Sequence, residues 1–216
     1  MLKLYCNKTD KVFSVKKENY LNEKIVIFGF NGIDKISYKN ELNCKENKLS
    51  NFAKLSKDSE KVLISGTITD NYGVLRRSAI IADKGKLLGI SDMRLSVNDN
   101  GYTGGGVQRV YQTQAGRIGL LIGDDILDVD GIKAMSLCDA DFIVAITSGE
   151  EKPQYNFLIR SYSYLFGVPI LLINSTSVIA SDLSGEICGK SLENHTKITL
   201  PVKKSYRLVL TKQRGT

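Results

Sequence analysis

YQTQAGRIGLLIGDDILDVDGIKAMSLCDADFIVAITS, Tyr111 to Ser148, is the stretch whose reading decides the fold of this chain. It holds an apolar run, Ile118 to Ile122, that ends at Gly123 and turns acidic at Asp124 and Asp125. GIKAMSLCDA follows as a short helix and DFIVAITS as a second apolar strand, by length and period. VQRVYQT pairs with the first run as a hairpin turning at Gln114-Ala115-Gly116. A strand that stops at a small residue before a polar turn is a common mount for a reactive group. Here the residue at the tip has no side chain.

The pattern extends outward in both directions. EKIVIFGF reads as a buried strand bounded by Asn31-Gly32. NKLSNFAKLSKDSE places Leu49, Phe52, Ala53 and Leu55 at helical spacing, an amphipathic helix, and KVLISGTITD is a strand. LRRSAIIAD and LLGISDMRL are two strands joined at Lys84-Gly85-Lys86. Beyond the central stretch, QYNFLIRSYSYLFG is a helix ending at Gly167, and VPILLIN is a strand. SVIASDLSGEICGKS is a hairpin turning at Ser184-Gly185, and TKITLPV and SYRLVLTKQ are extended. Helices alternate with apolar strands, but several strand pairs are hairpins. The expected class is therefore α/β with mixed (α+β) sheets, with strands enough for two sheets and helices on their outer faces.

Composition narrows the function classes. The chain has 216 residues, enough for one domain with a full core, taken as 1–216. Its net charge of +7 is carried by dispersed lysines without interleaved aromatics, a solvated surface rather than a nucleic-acid face. No apolar run approaches the ~20 residues that span a bilayer. MLKLYCNKTDKVF lacks the apolar core of a signal peptide, so a cytoplasmic location with no membrane partner is expected. Cys6, Cys44, Cys138 and Cys188 form no C-x-x-C pair and read as reduced thiols. His195 is the sole histidine, which excludes mechanisms needing two and makes a serine triad around Ser175–Ser177 improbable.

Three stretches give the order of segments a resemblance. RRSAIIADKGKLLGISDMRL is similar to "N-S-a-v-i-d-p-x-G-x-x-x-G-x-Y-x-K-x-H-L". The central stretch is similar to "f-x-t-x-x-G-r-I-G-v-x-I-C-y-D-x-x-F-P-E" with its helix and "G-A-D-i-i-l-x-p-s" strand, and SVIASDLSGEI to "S-x-i-x-d-p-x-G-e-v". These patterns are those of the carbon–nitrogen hydrolase, or nitrilase, superfamily. The resemblance covers most of the chain from about Ile25 and implies a single nitrilase-like domain, a four-layer αββα sandwich. It also implies a homodimer, no cofactor, and cleavage of nitriles or non-peptide amides by a cysteine nucleophile, a glutamate acid–base and an oxyanion-binding lysine. The chain departs from the pattern at all three. Gly123 stands at the cysteine position, Met93 at the lysine position, and Gly29 near the glutamate position. The N-terminus and the mouth of the site also read as shortened.

Other groups near the site then become the candidates. Arg94 is placed to supply a cation by a small shift in register, and Asp124 and Asp125 lie beside the old nucleophile position. Asp125 matches the family's own aspartate and is expected to cap the following turn. Cys138 or Asp124 would have to carry any relocated hydrolysis. DDILDVD, Asp124 to Asp130, is dense enough in carboxylates for a divalent cation but lacks EF-hand spacing. GYTGGGVQRV reads as a flexible loop into a strand rather than a phosphate cradle. The expectation is a nitrilase-like protein without amide hydrolysis that binds a small-molecule ligand or a partner, with Arg94, Asp124 and Asp125 as binding residues and no metal.

Overall fold

The computed structural model describes residues 1–96, 101–150 and 152–202. Its first half contains β1 (Leu2–Asn7), β2 (Ile25–Phe28), β3 (Ile36–Ser37), α1 (Tyr38–Leu42), α2 (Lys48–Ser59), β4 (Val62–Asn71), β5 (Val74–Asp83) and β6 (Lys86–Asp92). The second half contains β7 (Val110–Thr113), β8 (Gly116–Ile122), α3 (Val129–Leu137), β9 (Phe142–Ile146), α4 (Pro153–Phe166), β10 (Ile170–Ile173), β11 (Val178–Ser181), β12 (Ile187–Ser191) and β13 (His195–Leu200).

Successive strand side chains point to opposite faces, so a strand apolar at every position must be covered twice. In β2, Ile25 and Ile27 enter the core between the sheets, while Val26 and Phe28 join Phe52 of α2 on the other side. In β9, Phe142, Val144 and Ile146 enter the same central core, while Ile143 and Ala145 pack under α3 and α4 with Ile132, Ile159 and Phe166. The result is four layers, helix on sheet on sheet on helix. Each fully buried Ile, Leu or Phe contributes roughly 1.5–3 kcal/mol to this arrangement.

One sheet runs β13-β1-β2-β4-β5-β6 with β3 against β4, and the other runs β12-β11-β10-β9-β8-β7. Both are mixed: β1, β2 and β4 are mutually parallel, as are β8, β9 and β10, and the flanking pairs are antiparallel. The four-layer αββα expectation holds. Three local readings change. LKLYCN forms β1, held between β2 and β13, and its role was not legible from the segment itself. β4 and β5 form one long hairpin through Tyr72 and Gly73. The strand expected through Leu95 stops at Asp92, freeing Arg94 and Leu95 for other contacts. SYRLVLTKQ lies outside the described residues. No helix among the described residues is long and apolar enough to cross a membrane.

Candidate functional site

Parallel strands bring their carboxyl ends to one edge, where open α/β sheets usually bind ligands. Ile122 of β8 pairs with Ile146 of β9, which pairs with Ile173 of β10. The next residues, Gly123, Thr147 and Asn174, therefore line up at this edge. In the facing sheet β1 and β2 end at the same side, with Lys8 and Gly29 just beyond them, while β4 runs on to Asn71. Gly66 of β4 lies so close to Phe30 that an added Cβ would come 2.5 Å from the Phe30 Cα.

A cavity of about 190 Å³ opens at this edge, lined by Arg77, Gly123, Asp124, Thr147, Ser148, Lys152 and Tyr155. A smaller one, about 120 Å³, adjoins it through Thr147 and Ser148 and reaches Lys8, Phe30 and Ser175. The cavity sits where the sequence placed the vestigial site, but its chemistry differs from the expected set.

Gly123 has φ +59, the left-handed region that disfavours side chains. A Cβ built there would lie 2.6 Å from the Met93 sulfur. Met93 is fully buried, so its thioether fills the space a nucleophile at position 123 would use. Gly29 is closed for another reason: a Cβ there would run into the Lys8 backbone carbonyl. Phe30, the next residue, packs in the central core with Met93 and lines the smaller cavity.

The cation expected from Arg94 comes instead from Arg77 on β5. In a strand, alternate residues share a face, so Arg77 lies in phase with Ala79 and Ile81, which enter the central core. Its guanidinium lies 5.1 Å from the Phe30 ring centre and 4.8 Å from that of Tyr102, within cation–π range, and donates from Nη1 to Ser148 Oγ. Arg94 turns the other way and forms an ion pair with Asp128. Lys152, the residue before α4, supplies a second cation, its Nζ 3.3 Å from the Tyr155 hydroxyl.

The aspartates of DDILDVDG have separate tasks. Asp124 faces the cavity and accepts from the Tyr155 hydroxyl at 3.1 Å. Asp125 is fully buried and accepts the Arg94 and Leu95 amides at 2.9 and 2.8 Å, tying the segment after β6 to the 3-10 turn Gly123–Leu127. Its carboxylate thus reaches across to another segment, where turn capping was expected. Burial outweighs those amide bonds and raises its pKa to about 6. Asp128 caps α3 through the Gly131 amide and also accepts from Gln108. Asp130 is exposed on α3. These residues diverge as the 3-10 turn gives way to α3, and among the described residues no three metal-ligating side chains converge.

For a relocated nucleophile, Asp124 lies at the cavity wall but no exposed cysteine does. Cys138 is exposed at the end of α3 and lines neither cavity, and nor do Cys44 and Cys188. Cys6 is buried in the central core, where desolvation pushes its thiol up to about 12. In GYTGGGV, Gly104 and Gly106 are packed against neighbouring backbone, whereas Gly101 and Gly105 face open space. The Gly105 and Gly106 amides bond to the Arg94 and Met93 carbonyls, and Gly104 comes so near that a Cβ would sit 2.6 Å from the Arg94 carbonyl oxygen. That segment brings Tyr102 over Arg77.

Arg77, Thr147, Ser148, Lys152 and Tyr155 were not singled out from sequence. The one available signal was the phase of Arg77, a charge in step with inward-facing Ala79 and Ile81.

No protein-family model and no curated protein matches the chain. Solved structures do. The NitN amidase of Nesterenkonia sp. AN1 superposes with a TM-score of 0.75 at 12% identity, covering 93% of each chain. A mutant of that amidase carrying acrylamide on its active-site cysteine gives 0.77 at 12% identity, over 98% of this chain and 97% of that one. A carbon–nitrogen hydrolase of Helicobacter pylori G27 gives 0.69 at 14% identity, over 91% and 89%. Likeness at this level of identity is one of architecture: the chain has the αββα fold of the nitrilase-superfamily amidases and carbon–nitrogen hydrolases.

Proposed function

We propose that this chain is a nitrilase-fold binding protein that no longer runs thiol-dependent amide or nitrile hydrolysis. One observation carries the reading: Gly123 stands at the end of β8 with the Met93 sulfur in the space its side chain would need. Removing a covalent nucleophile costs several orders of magnitude in rate, and the remaining members of a catalytic unit then add little. Gly29 and Phe30 offer no carboxylate to move a proton, and Met93 no cation for an oxyanion. The cavity persists with polar walls, which favours retained binding over a collapsed edge.

The test is ammonia release from acetamide, propionamide and butyronitrile by the purified protein. Release at the level of a buffer blank is expected, unchanged in Cys138→Ser and Cys188→Ser. Turnover abolished by substitution of one cysteine would overturn the reading.

A further inference from the structure

We propose that the Asp125 carboxyl is a pH-responsive latch between the two sheets, closed when protonated and released when ionised, and that it sets whether Met93 stays over Gly123. As a means of regulating the cavity, it rests on the binding-protein reading above.

The geometry is that of a clasp. Asp125 belongs to the 3-10 turn Gly123–Leu127, which follows β8 of the second sheet and supplies Gly123 and Asp124 to the cavity wall. Its Oδ1 accepts two consecutive amides, those of Arg94 and Leu95, from the segment that leaves β6 of the first sheet. The side chain is fully buried, and its Oδ2 has no hydrogen-bond partner among the described residues. Met93 directly precedes the latched amides, and its sulfur fills the space at Gly123. The Met93 amide is bonded separately to the Arg77 carbonyl of β5, so release would free its side chain without stripping the strand.

Charge decides when the clasp holds. A buried carboxylate needs donors at both oxygens, and here one oxygen has none. Burial raises the Asp125 pKa, the Leu95, Arg94 and Ile122 amides offset only part of that rise, and Asp128 adds like-charge repulsion. The other charged and titratable groups around the turn are directed elsewhere. Arg94 reaches past Asp125 to Asp128, where Gln108 also donates. From α4, Tyr155 donates to Asp124, Lys152 donates to Tyr155, and Tyr162 faces Asp128. Arg77 of β5 approaches Gly123 and donates to Ser148, and Asp130 of α3 is exposed. A protonated carboxyl keeps Oδ1 as acceptor for both amides. Loss of the proton to solvent leaves a charge that regains hydration only by leaving them.

Residue-resolved amide hydrogen exchange, corrected for the intrinsic rate at each pH, tests this between about pH 5 and about pH 7.5. A released carboxyl titrates near ~3.9 and the latched one at about 6, so linkage makes the open form about tenfold more populated at the upper pH. Arg94 and Leu95 should lose about tenfold in protection over that range. At both pH values they should exchange faster than Ile143 and Val144 of β9, which report opening of the whole fold. Hydrogen peroxide reads the occupant: Met93 sulfoxide should form faster than Met135 sulfoxide at both pH values, and about tenfold faster at the upper one. Asp125→Asn keeps a neutral acceptor for the two amides and should make both readouts indifferent to pH. Protection or oxidation independent of pH in the native chain, the same loss in Asp125→Asn, or Arg94 and Leu95 exchanging only as fast as β9 would each overturn the inference. The native-chain series decides even if the variant fails to fold. Ammonia release in the assay above would instead overturn the parent reading, so the two failures are distinguishable.

Discussion

Two strand ends in this molecule carry glycine for different physical reasons. At the end of β2, Gly29 is pressed against backbone, the Lys8 carbonyl, and its own amide bonds to Asn7. At the end of β8, Gly123 faces the end of a flexible side chain, the Met93 thioether, with a left-handed backbone. Backbone in a sheet cannot retreat, whereas a methionine side chain can adopt another rotamer. One end is therefore closed by architecture and the other by occupancy.

Gly29→Ala is the harshest way to probe the contrast. With backbone as the obstacle, a loss on the order of 3–5 kcal/mol is expected in denaturant unfolding. A loss under about 1 kcal/mol would show that the β1–β2 ladder yields. Gly123→Ala should cost less, about 2–3 kcal/mol, combining left-handed strain with overpacking against Met93. In a double-mutant cycle with Met93→Ala, the pair should be about 1–2 kcal/mol less destabilised than the sum of the single changes. Additivity would remove Met93 as the occupant.

Neighbouring carboxylates extend the comparison to pH. Asp124 meets the cavity, while Asp125 is buried with its pKa raised to about 6. A raised carboxyl pKa means that the folded state holds the proton more tightly than the unfolded chain does. Stability from this group is therefore full below about pH 4 and is lost as pH rises through about 6. Asp125→Asn should remove this dependence, flattening the stability profile between those limits by on the order of 2 kcal/mol. A profile unchanged by the substitution would place the titration elsewhere. The smallest effect is expected from Thr147→Val without ligand. Removing an orphan buried hydroxyl should raise stability by up to about 1 kcal/mol, seen as a higher melting temperature. A clear loss would mean that the hydroxyl is satisfied in the free protein.

The scaffold was legible because its strands are apolar on both faces. IVIF, LLI, FIVAI and ILLI leave no position for solvent, so two covering layers follow from the residues themselves. The place of Asp124 at the cavity wall was legible from its position after Gly123. Arg77 was not, because an arginine in a hairpin is ordinarily solvated, and only its phase with Ala79 marked it as inward. Arg94 does not line the cavity, for a related reason. Chain position brought its backbone to the site edge, but the partner that directs its side chain, Asp128, lies 34 residues away. Thr147 and Ser148 became site residues only once β8 and β9 were placed in register.

The pairing of β1 with β13 sets a schedule for assembly. Leu2 lies opposite Leu200 and Asn7 opposite His195, so two neighbouring strands of one sheet are made far apart in the sequence. During synthesis β1 can join β2 early, but its other edge stays open until β13 emerges, after every strand of the second sheet. Contacts of such sequence separation are slow to form, and an open strand edge invites pairing with other chains in the meantime. A chain interrupted before residue 195 would carry that open edge permanently, which makes self-association of incomplete chains the expected failure of this fold.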